Sequence, residues 1–273
     1  MQLLEGELKV VADLAHKLCG LVLDETKDYL IECRLAALVT ESGCLSYAEL
    51  CGVIEANPFS RSAQQFVDRI STGETRFFRD GHPYDALQHK VYPEAFDALT
   101  CATNKVRILS AACSTGQEPV GLAMLAVEMF GTLATTSFEI IGTDISTTAL
   151  DKAKSGLYSD FDVRRSERPA LTSKWMKRAD GQWQVDPRVA NLLRYEQSNI
   201  TTGLAGLGSF DVVFCRNVAI YFDRPTREKI FDSIYASLNP GGLLVVGSYE
   251  EPPCGEAKFS LEEHCRSILY RKS

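Results

Sequence analysis

The chain has 273 residues, of which 45% are hydrophobic, and it carries a formal net charge of −7. This length and apolar content are sufficient for one large α/β domain plus a small accessory domain, so folding needs no disulfide or metal staple. The negative charge argues against general nucleic-acid binding, which requires a positive surface to displace counterions.

The N-terminus and the cysteines both indicate a cytoplasmic protein. The first segment, "MQLLEGELKVVADLAHK", is amphipathic and acidic and lacks the basic start and cleavage site of a signal peptide. No run of about 18 apolar residues predicts a membrane span. The nine cysteines contain no CxxC pair, which predicts buried, reduced thiols and no metal site.

The first part of the chain has the apolar spacing of helices. Spacings of three and four residues occur in "LKVVADLAHKLC", "KDYLIECRLAALVTESG", "SYAELCGVIEAN" and "SAQQFVDRI". Ser46 and Ser60 stand where helix caps are expected. These patterns predict a helical domain over residues 1–72, followed by a linker over 73–105 that keeps helical periodicity.

From residue 106 onward the pattern alternates between strands and helices. The predicted strands are "VRILSA", "FEIIGTDI", "LLRYEQSNI", "FDVVFCRN" and "LLVVGSYE", and the predicted helices are "EPVGLAMLAVEMF", "TTALDKAKSG" and "TREKIFDSIYASLNPGG". Such alternation predicts a parallel sheet covered on both faces over residues 106–273. Ligands of such sheets bind at the carboxyl ends of the strands.

Residues of about 157–192 fit neither element of this alternation and predict a small inserted lobe with one strand in "GQWQVDP". The lobe contains a cluster of cations: Arg164, Arg165, Arg168, Lys174, Lys177 and Arg178. This cluster is interpreted either as a solvated surface or as a docking surface. Lys27 and Arg34 share one face of a predicted helix. Together with the lobe, these two residues would flank the entrance to the active site.

The loop "SAACSTGQEP" follows the first predicted strand. Its small residues allow a ligand to approach the backbone closely, as in dinucleotide-binding folds. Neither GxGxxG nor GxxxxGK[ST] is present, so no phosphate cradle is indicated. Asp144, at the end of the next strand, is either an acceptor for ribose hydroxyls or a helix cap. A nucleoside without phosphates indicates S-adenosylmethionine.

Several motifs together resemble one family, the chemotaxis receptor glutamate methyltransferases, or CheR family. They are "ISTGETRFFRD", "ILSAACSTGQEP", "GTDISTTALDKAKSGLY", "QSNI", "DVVFCRNVAIYFD" and "LNPGGLLVVGS". The resemblance covers nearly the whole chain in order. It implies a Rossmann-like S-adenosylmethionine-dependent methyltransferase fold with an all-helical N-terminal domain and a small inserted β-subdomain.

The resemblance also implies an activity and its residues. The expected reaction is methylation of glutamate side chains on the cytoplasmic helices of chemoreceptors, with S-adenosylhomocysteine as the other product. Independently of the resemblance, a monomer is the default expectation. The catalytic residues would be Arg79 and Tyr221. The cofactor contacts would be Thr75, Arg79, Glu118, Asp144, Asn199, Ile200, Arg216 and Asn217.

Three features depart from the family pattern. Gly73 stands where members often have asparagine, and "GSYEE" replaces the usual GxSE after the last predicted strand. The segment "MKRADGQWQV" lacks the longer glycine-containing turn of members that bind a receptor C-terminal pentapeptide. We therefore expect an enzyme that does not depend on the pentapeptide.

Each key residue also has an interpretation that needs no ligand. Tyr221 could pack on the sheet edge, Arg79 could form a surface ion pair with Asp80 or Glu74, and Glu118 could favour a helix N-terminus. Cys215 is interpreted as a buried strand residue instead of a nucleophile.

Two alternative activities remain open at the level of the whole chain. The first is methylation of a small molecule or nucleic acid, although "RNVAIYF" replaces the Asn/Asp-Pro-Pro-aromatic motif of amino methylases. The second is a binding module without catalysis.

Overall fold

The protein is described by a computed structural model over residues 2–24, 28–99, 104–253 and 258–273. The N-terminal region consists of four helices: α1 (Glu7–Cys19), α2 (Asp28–Glu41), α3 (Tyr47–Ala56) and α4 (Arg61–Ile70). These helices share one apolar core, because each buries the face that its sequence pattern predicts. The largest contributors include Leu14, Ile31, Leu35, Leu50 and Phe66.

Two predicted helix starts are confirmed by their hydrogen bonds. The Ser46 hydroxyl oxygen accepts from the backbone N–H of Glu49 at 3.1 Å, at the start of α3. The Ser60 hydroxyl accepts in the same way from Ala63 at 3.2 Å, at the start of α4. Each serine thereby satisfies one of the N–H groups that an α-helix leaves unpaired at its N-terminus.

A helical linker joins this region to the sheet. It consists of α5 (His82–Ala86), one π-helical turn (Leu87–Val91) and α6 (Tyr92–Asp97). Helical periodicity in this segment is therefore confirmed.

Within the described residues the main sheet has seven strands: β1 (Val106–Ala111), β2 (Phe138–Asp144), β6 (Leu193–Gln197), β7 (Phe210–Cys215), β8 (Leu238–Val246), β9 (Phe259–His264) and β10 (Ser267–Lys272). Their order across the sheet is β6-β2-β1-β7-β8-β10-β9. The first five strands in this order are parallel, as predicted.

The expectation of a wholly parallel sheet is wrong for the last two strands. β10 runs antiparallel to both β8 and β9. A hairpin can join antiparallel strands directly, without the crossover helix that parallel strands need. Cys265 and Arg266, both at positive φ, form the turn between β9 and β10.

Helices cover both faces of the sheet. They are α7 (Gln117–Phe130), α8 (Ala134–Ser137), α9 (Thr147–Ser155) and α13 (Arg224–Ser237). Alternate strand residues point to opposite faces, so Ile108 joins the core beneath α7 while Leu109 joins the core beneath α13. The stretch Gln117–Ser137 has the length and composition of a membrane span, but half of its most apolar part is buried, as in a core helix.

The inserted lobe contains a separate three-stranded sheet, ordered β3-β5-β4. Its elements are β3 (Leu157–Tyr158), α10 (Asp160–Arg164), α11 (Pro169–Lys174), β4 (Met176–Ala179), β5 (Gln182–Val185) and α12 (Pro187–Ala190). The strand predicted in "GQWQVDP" is β5. A turn of two residues, Asp180 and Gly181, joins β4 to β5.

Acidic partners neutralise most cations of the lobe. Five lobe cations form ion pairs of 3.0 Å or less: Arg165 with Glu74, Arg168 with Asp85, Lys174 with Glu128, Arg178 with Asp160, and Arg188 with Asp186. Nearby carboxylates therefore offset most of the positive charge of the lobe. The electrostatic potential of its surface is less positive than the number of its cations suggests.

Candidate functional site

The loop after β1 is tightly wound against α9. Ala112, Ser114 and Gly116 all have positive φ, of 54°, 52° and 90°. A Cβ atom on Gly116 would lie 2.7 Å from the Cβ of Ala153, so this position requires glycine. The small residues noticed in "SAACSTGQEP" thus permit a compact turn at the carboxyl end of the strand.

Asp144 connects this loop to the next one. Its carboxylate accepts from the backbone N–H of Ser114 at 2.8 Å and from that of Ser146 at 2.9 Å. Ser146, and not Asp144, is the cap of α9, because its hydroxyl accepts from the N–H of Ala149. Burial raises the pKa of Asp144, although the backbone hydrogen bonds oppose this effect.

Gly73 contacts the same loop through its backbone. Its carbonyl oxygen accepts from the Ser114 hydroxyl at 2.8 Å, and a Cβ atom at residue 73 would lie 3.1 Å from that hydroxyl. A side chain at residue 73, such as the asparagine that the family often has, would therefore require the Ser114 hydroxyl to shift by a few tenths of an ångström.

Arg216 is the buried cation of the site. Its guanidinium donates to the Glu118 carboxylate at 3.0 Å, to the Asp80 carboxylate at 2.7 Å and to the Arg79 carbonyl at 2.8 Å. Burial tends to lower the pKa of Arg216, but the two carboxylates outweigh burial and raise it. Glu118 also accepts from the Ser110 hydroxyl at 2.8 Å, so it does more than favour the start of α7.

Arg79 departs from its ligand-free interpretation, and a short 3₁₀ turn places Tyr221 at the site. Arg79 forms no ion pair with any described carboxylate, and one of its nitrogens donates weakly to the Glu74 carbonyl at 3.4 Å. Tyr221 ends a 3₁₀ turn (Ala219–Tyr221), and its carbonyl accepts from the N–H of Val22. Both residues line the same cavity.

Asn199 joins the site to the helical region. Its side-chain amide donates to the Leu18 carbonyl at 3.0 Å, and its oxygen accepts from the N–H of Thr201. The adjacent Ile200 is mostly buried and lines the cavity. The Leu18 carbonyl uses only one of the two N–H donors of the Asn199 amide, whereas the Asn199 backbone carbonyl already accepts from Thr202.

A cavity of about 550 Å³ brings together every residue expected at the site. These residues are Thr75, Arg79, Glu118, Asp144, Asn199, Ile200, Arg216, Asn217 and Tyr221. The helical region contributes Cys19, Gln65 and Asp68 to the wall. The site therefore lies between the helical region and the carboxyl ends of the strands, where ligands of open α/β sheets bind.

The cavity has features that fit S-adenosylmethionine. Its volume is in the range of small-molecule sites, about 300–1,000 Å³. Asp144 supplies an acceptor for ribose hydroxyls beside a close-approach loop. The buried Nε of Arg216 has no hydrogen-bond partner among the described residues, and this side chain lines the cavity. An unpaired donor there suits the carboxylate of an amino-acid tail.

Sequence reasoning missed Glu250 as a residue of this region. Its carboxylate accepts from the backbone N–H groups of Asn217, Val218, Ala219 and Gly247, at 2.5 to 2.9 Å. The available signal was the first glutamate in "GSYEE", which stands three residues after the glycine, as in the family's GxSE.

Arg34 has a structural role in addition to the docking role expected for it. Its guanidinium donates to the carbonyls of Ile70 and Ser71, at 2.8 and 3.2 Å, and so caps the C-terminus of α4. Lys27 lies outside the described residues. Cys215 is completely buried, and burial raises the pKa of its thiol well above the usual range, which confirms its interpretation as a strand residue.

Comparison with known proteins identifies relatives along nearly the whole chain. Residues 73–267 match the family model "CheR methyltransferase, SAM binding domain", and residues 6–71 match "CheR methyltransferase, all-alpha domain". "Chemotaxis protein methyltransferase Cher2" of Pseudomonas putida is 36% identical over 241 residues, 86% of each chain. "Chemotaxis protein methyltransferase 1" of Pseudomonas aeruginosa is 34% identical over 262 residues, 94% of each chain.

Proposed function

The chain belongs to the CheR family of chemotaxis methyltransferases, whose larger domain binds S-adenosylmethionine, and on this premise we propose that it methylates glutamate side chains of chemoreceptors. The observation that carries the proposal is that Arg79 and Tyr221 line one cavity with Asp144. The enzyme would act in the cytoplasm as a monomer, with a helical domain over residues 1–72, a motif-bearing linker over 73–105 and the transferase domain over 106–273.

The pocket would perform this reaction mainly by orientation. S-adenosylmethionine held by residues such as Asp144 and Arg216 would supply the methyl group from its positively charged sulfur to the glutamate oxygen, with S-adenosylhomocysteine as the leaving group. A glutamate with an ordinary pKa of about 4.3 is already ionised near neutral pH, so no residue must act as a general base. The walls around Arg79 and Tyr221 would hold the carboxylate in line and exclude water.

Arg79 and Tyr221 would each give the carboxylate one oriented hydrogen bond. A tight bidentate pair with Arg79 would stabilise the carboxylate more before transfer than during it, and would slow the reaction. Arg79 has N–H donors available for this single hydrogen bond, because no described carboxylate pairs with its guanidinium.

The proposed substrate is tested with a purified chemoreceptor cytoplasmic fragment and S-adenosylmethionine. We expect mass spectrometry to locate methyl groups on glutamates, and mild base to remove them as methanol. A fragment without its C-terminal pentapeptide should be methylated at the same rate, because the β4–β5 turn has only two residues. Base-stable methylation would contradict the substrate assignment, and cofactor binding without transfer would indicate a binding module.

Tyr221→Phe should reduce kcat about tenfold, the effect of one hydrogen bond made during transfer. Affinity for S-adenosylhomocysteine should not change, because the aromatic ring remains in the cavity wall. Initial-rate kinetics and calorimetry measure the two quantities. Tyr249→Phe is the matched control, because Tyr249 is 96% exposed and its hydroxyl lies outside the cavity. Equal kcat values for the two variants would show that the Tyr221 hydroxyl takes no part in the reaction.

A further inference from the structure

We propose that Glu250 is a positioning residue, which fixes the turn that carries the Arg216–Tyr221 wall of the cavity. Glu250 itself does not line the cavity, whereas Arg216, Asn217, Val218 and Tyr221 do. Its influence on the reaction is therefore exerted through the turn. The kinetic part of this inference rests on the proposed function, and the binding and spectroscopic parts do not.

The turn has a conformation that needs an external acceptor. Asn217 has a φ of 57°, which is uncommon for a residue other than glycine, and it lies two residues after the end of β7. The N–H groups of Asn217, Val218 and Ala219 then point towards one centre instead of entering a regular element. Successive N–H groups in such a turn form a concave site for an anion.

The Glu250 carboxylate occupies this centre. One oxygen accepts from Val218 at 2.9 Å and from Ala219 at 2.7 Å, and the other accepts from Asn217 at 2.5 Å and from Gly247 at 2.9 Å. The residue is only 9% exposed, so these bonds are shielded from water. Four donors on one carboxylate hold the end of β7 and the end of β8 in a fixed relation.

Gly247 leaves space for this arrangement. A Cβ atom at residue 247 would lie 2.6 Å from the Glu250 carboxylate and 3.0 Å from the backbone nitrogen of Asn217. Neither group can move freely, because each is held by the other. Gly247→Ala should therefore displace the same turn without removing the carboxylate.

Glu250→Gln is the direct test, because the amide keeps the size of the side chain but presents an N–H₂ group to backbone donors. We expect the dissociation constant of S-adenosylhomocysteine to rise about tenfold and kcat to fall at least tenfold. Both changes would follow from displacement of the side chains that contact the ligands. The 19F resonance of a fluorotyrosine at position 221 should shift or broaden in the variant.

Glu7→Gln is the matched control. Glu7 is also a buried carboxylate that accepts from backbone N–H groups, those of Leu4 and Ala48, but it lies in the helical region away from the cavity. Its loss should lower the thermal midpoint without changing the dissociation constant, kcat or the 19F spectrum. If Glu250→Gln does not fold at the assay temperature, Gly247→Ala gives the same three measurements.

Two outcomes decide between positioning and simple stabilisation. A lower thermal midpoint with wild-type affinity and an unchanged 19F spectrum at Tyr221 would overturn the inference. If the wild-type protein binds S-adenosylhomocysteine but methylates no receptor glutamate, the proposed function fails, while the affinity and the spectrum still test Glu250.

Discussion

Asp144→Ala should lower the affinity for S-adenosylhomocysteine about 100-fold or more. If both ribose hydroxyls donate to this carboxylate, the variant loses two charge-assisted hydrogen bonds, each worth about 1.5–3 kcal/mol. Calorimetric titration of wild type and variant measures the change directly. The variant also leaves the N–H groups of Ser114 and Ser146 without their acceptor, which should lower its stability. The titration is therefore made at a temperature well below the thermal midpoint of the variant.

Asp186→Ala separates loss of a ligand contact from loss of stability. Asp186 is a buried acid that caps α12 and lies outside the cavity. Its substitution should reduce stability and leave the affinity unchanged. Wild-type affinity in Asp144→Ala would mean that this carboxylate is only a connector between two loops. Undetectable binding in the folded wild-type protein would contradict the cofactor site itself.

The raised pKa of Asp144 adds a pH dependence to this result. Only the ionised carboxylate accepts from both ribose hydroxyls, so affinity should fall on acidification, starting at a higher pH than for an ordinary aspartate with a pKa of about 3.9. The contribution of Asp144 to folding stability changes with pH in the opposite direction to the ligand affinity. Because the folded pKa is raised, the contribution of Asp144 to stability is complete below the unfolded pKa and is lost as pH rises through the folded pKa.

Local sequence patterns predicted those parts of the fold that depend on neighbouring residues. The five parallel strands, the caps at Ser46 and Ser60 and the small-residue loop after β1 follow from short spacings. The C-terminal hairpin was missed, because "FSLEEH" and "SILYRK" alternate poorly and β9 exposes much of its surface as an edge strand.

Long-range partners could not be predicted in the same way. Arg216 meets Glu118 and Asp80 across 98 and 136 residues of sequence, and Glu250 reaches a turn about 30 residues earlier. No spacing rule relates residues that come together only when the sheet forms. The capping contact of Arg34 was missed for the same reason, since its acceptors lie at the end of another helix.

Arg216→Met should destabilise the protein by about 3–5 kcal/mol, the usual cost of removing one partner from a buried ion pair. The Arg216 side chain is 1% exposed, and its loss leaves the Glu118 carboxylate, 13% exposed, without a cation. Arg216→Lys should recover only part of the loss, because an ammonium cannot reproduce the planar set of donors that now reaches Glu118, Asp80 and the Arg79 carbonyl. Urea denaturation measures both variants.

Two further variants identify the cause of this instability. Adding Glu118→Gln to Arg216→Met should restore part of the stability, because it removes one of the uncompensated buried charges. Arg107→Met is the matched control at the opposite end of β1: its guanidinium bonds to Glu139 and two carbonyls, is more exposed, and lies outside the site cavity. It should cost less stability and leave S-adenosylhomocysteine affinity unchanged, whereas Arg216→Met should lose both. If Arg216→Met were as stable as wild type, the contacts of Arg216 with Asp80 and Glu118 would not contribute to folding stability.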